Sequence, residues 1–303
     1  MTDGYKILTP ADLGNDLTPG QFALDVLNGL GEMPKRLSSR WFYDAEGSRL
    51  FQEICDLPEY YLTRAEHEIL VRHAPDIIAR AAKHSLDIVD LGAGDGRKTN
   101  LLLRAAISQV KEPRFVPIDI SETAMRGLVA DTRKAFPALD VRGLVGDYGD
   151  ALHYFSKDKS RPSLVMFLGS NIGNFAFPAA RSFLRQVWGA LNTGDLVLIG
   201  FDRKKDIGQL IAAYNDSAGV TAKFDMNLLA RINRELGGHF DLGKFQFFAT
   251  WNPGAGAIES FVVSRERQSV RVDGHKRRTQ AGTFVVVPCG LSLKVVLELG
   301  QKH

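Results

Sequence analysis

Two cysteines, Cys55 and Cys289, are all the thiol chemistry in this 303-residue chain, which excludes a disulfide framework and a cysteine metal cage. Seven histidines are scattered without a His-x-x-x-His pair, so no metal site is legible and none is expected. No apolar run approaches membrane-spanning length. The polar amino end, with Asp3, Lys6, Asp12 and Asp16, has no hydrophobic leader core, so a cytoplasmic protein without a membrane partner is expected. An excess of one charge is missing as well: 38 Lys and Arg against 35 Asp and Glu leave +3, too mild to argue for a nucleic-acid surface. The basic run His275-Lys276-Arg277-Arg278 reads as a solvated loop. There is no internal repeat and no low-complexity tract. What remains, 45% hydrophobic and 24% charged residues, suffices for one large domain or two smaller ones.

From Leu86 onward, short apolar runs alternate with amphipathic ones. Strands are predicted at Leu86–Leu91, Phe115–Asp119, Val141–Val145, Leu164–Leu168 and Leu196–Phe201, with helices at Lys98–Val110, about Glu122–Phe136, and Pro178–Leu191. Such alternation means a parallel sheet covered on both faces. Before it, residues 1–17 read as an irregular lead, Thr18-Pro19 opens a helix to Leu30, and Thr63-x-x-Glu66 reads as a capping box starting a helix that Pro75 interrupts. After Phe201 the rhythm changes to helices at Asp206–Ala213 and Asn227–Leu236. Strands follow at Phe245–Trp251, Ile258–Ser264 and Ser269–Val272, then a β-rich pair, Thr283–Pro288 and Leu291–Leu299. The expected fold is therefore α/β, a Rossmann-like sheet with a second α+β lobe. The sheet domain is assigned residues 65–201 plus about 285–303, and the second lobe 1–64 plus 202–284.

In such a sheet ligands bind beyond the carboxyl ends of the strands. Four of these ends carry suitable groups: Gly92-Ala93-Gly94-Asp95-Gly96 with Lys98 opening the next helix, then Asp119, then Asp147-Tyr148, then Gly169-Ser170-Asn171-Ile172-Gly173-Asn174. The glycine turn is shorter than the Gly-x-Gly-x-x-Gly pattern that seats a pyrophosphate. Asp119, about 25 positions beyond Gly94, suits a ribose diol, and Asp147 with Tyr148 suits an adenine edge and face. Lys98 has the sign and position to meet a carboxylate. A cofactor with one nucleoside, an amino-acid tail and no phosphate is S-adenosylmethionine. The aromatic-rich stretch from Trp41 to Tyr61 serves a packed segment or a site wall equally well.

Three stretches then resemble a known family, the histidine-specific S-adenosylmethionine-dependent methyltransferases. They are Trp41-Phe42-Tyr43-Asp44-x-x-Gly47-Ser48-x-Leu50-Phe51, Leu57-Pro58-Glu59-Tyr60-Tyr61-x-Thr63-Arg64-x-Glu66, and Phe167-Leu168-Gly169-Ser170-x-Ile172-Gly173-Asn174. The similarity runs from about residue 20 to 265 and includes Ala212-Ala213-Tyr214-Asn215-Asp216-x-Ala218-Gly219-Val220-Thr221-Ala222. The resemblance implies a class I methyltransferase sheet with a substrate-binding lobe, and methylation of the α-amino group of free histidine on the route to ergothioneine. It implies cofactor contacts at Tyr43, Gly92, Gly94, Lys98, Asp119, Asp147 and Tyr148. It further implies that Tyr43 and Tyr60 line the reacting centre, with Asn174 and Tyr214 on the substrate carboxylate. A monomer with an amino-acid substrate is expected.

One segment departs from the family. Where a Thr-Glu-x-Ser-type sequence gives a Glu and a Ser to the imidazole, this chain has Pro288 and Gly290, and Ser260 stands where a pocket methionine is found. Buried polar groups without partners are penalised, so such a wall would suit a less polar acceptor. Two alternatives therefore stand: the same chemistry on an aromatic, tryptophan-like amino acid, or a relative that binds without turnover. A nucleic-acid methyltransferase is disfavoured by the mild charge.

Overall fold

Ile88, Val89 and Leu91 are wholly buried, as a strand covered on both faces must be. In the computed structural model, which describes residues 4–9, 12, 20–157, 160–272, 275–279 and 284–288, they lie in the middle of a parallel sheet. Its strands are β1 (Tyr5–Ile7), β3 (Ser85–Leu91), β4 (Glu112–Asp119), β5 (Asp140–Val141), β6 (Gly143–Val145), β7 (Ser163–Phe167) and β8 (Leu196–Ile199). The order is β1-β6-β4-β3-β7-β8, with β5 also on β4. Every pairing is parallel.

Helices cover both faces. On one, Leu70, Ile77 and Ile78 of α3 (Tyr61–Ala81), Leu102 and Leu103 of α4 (Thr99–Gln109) and Met125 and Leu128 of α5 (Glu122–Ala135) pack on Leu86, Ile88 and Phe115. On the other, Ala151 and Leu152 of α6 (Tyr148–Lys157) and Phe183 and Val187 of α7 (Phe177–Gly189) pack on Val89, Leu91, Val116 and Phe167. This is the Rossmann-like α/β fold predicted. Strand order reverses at β3, with β4 and β6 on one side and β7 and β8 on the other, so the carboxyl end of β3 is the switch point where ligands bind. Near the amino end of β3, the fully buried Asp87 accepts from the guanidinium groups of Arg114 and Arg161, a paired charge that ties the strands together.

The chain divides into two units, the first within Met1–Asp16 and Leu62–Asp202, the second within Leu17–Tyr61 and Arg203–Leu291. The second contains α1 (Gln21–Gly31), β2 (Lys35–Arg36) and α2 (Ala45–Asp56) from the earlier segment. From the later one come α8 (Ile207–Tyr214), α9 (Val220–Glu235), β9 (Phe245–Asn252), β10 (Ala257–Ser264), β11 (Gln268–Val272), β12 (His275–Thr279) and β13 (Phe284–Pro288). One sheet runs β2-β13-β10-β9, and β11 pairs with β12.

Several elements differ from expectation. Tyr5–Ile7, assigned to an irregular lead and the second lobe, is a strand parallel to β6 and belongs to the first unit. Residues 285–288, assigned to the sheet domain, pair with β10 in the second unit, while Leu291–Leu299 lies outside the described residues. His275–Arg278 is not a loop but the partner strand of β11, with Val270 opposite Arg277. Helix α3 begins at Tyr61, so Thr63 is helical rather than a cap, and it runs unbroken through Pro75. Pro75 lies on the exposed face of the helix, where its ring meets no core side chain. Helices α2 and α6 are additional to the expected elements: α2 places Gly47, Leu50 and Ile54 on one buried face behind the Asp44 cap, and α6 buries Ala151 and Leu152.

Candidate active site

The glycine turn after β3 is built for close approach. Gly92, Gly94 and Gly96 have φ of 77°, 56° and 70°, the left-handed region that only glycine enters at little cost. A Cβ on Gly92 would stand 2.8 Å from the Tyr148 hydroxyl and 3.1 Å from the Asn171 amide, whereas one on Gly94 would meet nothing nearer than 4.0 Å. The space above Gly94 is therefore open. The Gly94 N–H donates to Asp119 Oδ2 at 3.0 Å, and Ser121 N–H donates to Oδ1 at 2.9 Å. The end of β4 is thus pinned to the turn after β3. Burial pushes the Asp119 carboxyl up, with the Ser121, Gly94 and Ile120 N–H groups opposing.

Asp147 receives the Gly149 N–H at 3.0 Å, fixing the start of α6. The adjoining Tyr148 ring packs edge-on against Phe167, 5.4 Å between centroids. Its hydroxyl is pushed well up by burial, then by the charges of Asp119, Asp147 and Asp90, so it remains a neutral donor. Gly92, Gly94, Asp119 and Tyr148 are therefore brought together at the switch point of the first unit.

Lys98 stands at the head of α4, and its ammonium pairs with Glu66 of α3. Both oxygens of Glu66 also accept from the Gly169 N–H, each at 2.9 Å. Asp90, 2% exposed, accepts from the Thr99 hydroxyl. Its carboxyl is raised to about 6 by burial, against the Thr99 hydrogen bond and the Lys98 charge. Beyond β7 the chain turns through Gly169 and Ser170, both at positive φ (74° and 58°), into a 3-10 turn, Asn171–Asn174. The Ser170 hydroxyl accepts from the Asp202 N–H at 3.1 Å and steadies that turn, which carries the half-buried Asn174. Glu66 and Asp90 carry no site role in the sequence reading, whereas Asn171 falls within the Gly169–Asn174 strand end named there. Glu66 had a plausible local role as a cap, and Asp90 reads as one more residue of a strand.

In the second unit the aromatic-rich stretch forms a line of rings. Tyr43 packs edge-on to Phe51 at 5.5 Å and to Phe224 at 5.7 Å, Phe51 to Tyr60 at 6.4 Å, and Tyr60 to Tyr214 at 5.9 Å with planes at 87°. Tyr43, Tyr60 and Tyr214, remote in sequence, are thereby assembled. Carboxylate caps flank them: half-buried Asp44 accepts from Gly47 N–H at 2.7 Å and Asn227 at 2.8 Å, and buried Asp216 accepts from Val220 and Thr221 N–H groups, both at 2.8 Å. Burial raises the Asp44 carboxyl, but the Gly47, Asn227 and Arg234 donors outweigh it and leave it below its ordinary value. Glu59, next to Tyr60, accepts from the Ser217 hydroxyl at 2.7 Å, near Tyr214. Ser260 is wholly buried on β10, and its hydroxyl has no hydrogen-bond partner among the described residues. Pro288 ends β13, its backbone paired with Glu259, while Gly290 lies outside the described residues.

The family model of histidine-specific, SAM-dependent methyltransferases matches residues 22–290. The chain is 43% identical to the histidine N-alpha-methyltransferase of Mycolicibacterium smegmatis, over 82% of this chain and 76% of that protein. It is 39% identical to the histidine N-alpha-methyltransferase of Mycobacterium tuberculosis, over 86% of this chain and 80% of that one. A solved putative methyltransferase from Thermobifida fusca shares 16% identity over 71% of this chain and 84% of that one, with a TM-score of 0.40. The chain belongs to the histidine-specific methyltransferases, enzymes that use S-adenosylmethionine.

Proposed function

We propose that this enzyme methylates the α-amino group of free histidine, three times in succession, to give the Nα-trimethylhistidine used in ergothioneine biosynthesis. The observation that carries this reading is the identity, 43% and 39% over most of the chain, to two histidine N-alpha-methyltransferases. The first unit suits the cofactor: the space above Gly94 is open and the Asp119 carboxylate sits at the adjoining strand end. Asp119 would accept from the ribose hydroxyls, Asp147 and Tyr148 would meet the adenine, and Gly92, Gly94 and Lys98 the amino-acid end, with Tyr43 beside the reacting centre. The acceptor's partners would be Tyr60 at its side chain, and Asn174 and Tyr214 at its carboxylate.

S-adenosylmethionine, when bound, supplies an electrophilic methyl on a sulfonium. The chain's own task is alignment, worth about 7–11 kcal/mol in a near-attack geometry. The nucleophile must be a neutral amine, and because free histidine's own carboxylate holds its ammonium above the about 7.7–8.0 of a peptide amino terminus, the site must favour loss of that proton. Tyr43 and Tyr60 orient its N–H groups, and water carries the proton away. Aromatic faces, here the Tyr43–Phe51–Tyr60–Tyr214 line, tolerate the trimethylammonium product well. The enzyme acts as a monomer on a free amino acid, without nucleic acid or membrane; the near-balanced charge supports the absence of a nucleic-acid surface.

A second reading rests on Pro288 and Gly290, which bring no side-chain hydrogen bond to the segment where the resemblance places a Glu and a Ser: the acceptor is an aromatic amino acid lacking imidazole. Mass spectrometry after incubation with S-adenosylmethionine and each amino acid in turn separates the two. Mass gains in one-methyl steps on histidine support the first, gains on another amino acid alone support the second, and none on any overturns both.

A further inference from the structure

We infer that Glu66 is a positioning residue for the amino-acid end of the cofactor, holding the Lys98 ammonium and the turn after β7 in register from α3. Glu66 is only 2% exposed, and one carboxylate group gathers three strand ends. Lys98, following the turn after β3, donates to Oε2. Gly169, following β7, donates its N–H to both oxygens. Gly200, following β8, has no side chain where one would collide: a Cβ there would stand 2.1 Å from Oε1. A buried carboxylate is costly unless its oxygens are met, and these donors meet it.

Location separates this cluster from an ordinary structural ion pair. The first unit already has one of those, Asp87 with Arg114 and Arg161, near the amino end of β3. The Glu66 cluster is gathered instead at the carboxyl ends, where ligands bind in this fold. It also has a competitor. Asp90 is buried close enough that the Lys98 charge stabilises its carboxylate and the Glu66 charge opposes it. Without the Glu66 charge, Asp90 becomes the anion that claims Lys98, and the ammonium is drawn from its place beside Gly169, where it lies 3.3 Å from the position of an added Cβ. Glu66 acts through Lys98 and Gly169 and is assigned no contact with the cofactor.

The inference rests on the proposed role of Lys98 toward the cofactor's carboxylate, so the test treats the two separately. Titration calorimetry on the full chain uses two ligands: S-adenosylhomocysteine, which has the amino-acid tail, and 5′-methylthioadenosine, which lacks it. Glu66→Gln is expected to weaken S-adenosylhomocysteine about tenfold, the effect of losing one charged hydrogen bond, and to leave methylthioadenosine within about twofold. Glu66→Asp, which keeps the charge, is expected to fall between Glu66→Gln and the parent. Equal loss of both ligands in Glu66→Gln would make Glu66 merely structural and overturn the inference, as would unchanged binding of both. Lys98→Met reports on the underlying reading. If it weakens S-adenosylhomocysteine selectively while Glu66→Gln does not, only Glu66 is misassigned. If Lys98→Met itself changes nothing, the placement of the tail at Lys98 is wrong and the inference falls with it.

Discussion

Asp225→Asn should make the protein more stable, and more so as the pH rises. Asp225 lies on α9 at 1% exposure, and neither carboxyl oxygen has a hydrogen-bond partner among the described residues. Burial alone raises its carboxyl from 3.8 to about 8. In the folded chain the group therefore keeps its proton at neutral pH, while in the unfolded chain it has lost it. Between those two values the folded state holds one more proton than the unfolded state, so stability falls as pH rises. By pH 7 the accumulated loss is about 4 kcal/mol, whereas near pH 4.5 it is about 1 kcal/mol. Asparagine is neutral in both states and escapes this loss. Urea unfolding of both proteins at pH 4.5 and pH 7, followed by tryptophan fluorescence, reads the difference, since Trp41 and Trp251 lie in the same unit as Asp225. The amide's extra donor shifts both measurements equally, so the change between the two pH values is the decisive quantity. A gap between parent and variant that is the same at both, or that narrows toward pH 7, would refute the reasoning.

Other substitutions probe the sites directly. Asn174→Ala should raise the acceptor's KM about tenfold or more while S-adenosylmethionine affinity holds, since only the acceptor's charged hydrogen bond is lost; unchanged acceptor affinity by calorimetry would remove Asn174 from the carboxylate. Asp119→Ala should weaken S-adenosylmethionine binding by about 1.5–3 kcal/mol per lost charged hydrogen bond, and equilibrium dialysis with labelled cofactor measures it. Gly47→Ala drives a Cβ to 1.7 Å from the Phe42 carbonyl oxygen, so a melting temperature lower by several degrees is expected, from about 1–3 kcal/mol of overpacking. Asp87→Ala strands Arg114 and Arg161 without their buried partner and should cost about 3–5 kcal/mol in urea unfolding.

Much of the first unit can be read from the chain because its signals are periodic. Strands β3, β4, β6, β7 and β8 are apolar runs closed by a glycine or an acid, and Gly92, Gly94, Asp119 and Tyr148 sit where that pattern implies, whereas the short β1 and β5 lack it. Glu66 escaped because local spacing offered it another use: Thr63-x-x-Glu66 is a capping sequence, and only the start of α3 at Tyr61 reveals that the carboxylate serves residues far along the chain. Asp225 escaped because the helix expected at Asn227–Leu236 in fact runs Val220–Glu235, so the pattern assigned Asp225 no face, and neighbouring elements bury it. In the second unit, Tyr43, Tyr60 and Tyr214 follow no common period. Their convergence depends on caps such as Asp44 and Asp216 and on pairing between distant segments. Resemblance to a family could point to them; hydrophobic pattern could not.

The pairing of β2 with β13 sets Lys35 and Arg36 beside Val285 and Val286. The second unit is thus split in sequence, with Leu62–Asp202 of the first unit interposed between its two segments. During synthesis the edge groups of Lys35–Arg36 must wait for nearly the whole chain to emerge, the kind of long-range closure that slows folding and leaves partners exposed in the interim. Protection of the Lys35 and Arg36 amides from exchange is therefore expected only once Val285 and Val286 are in place beside them.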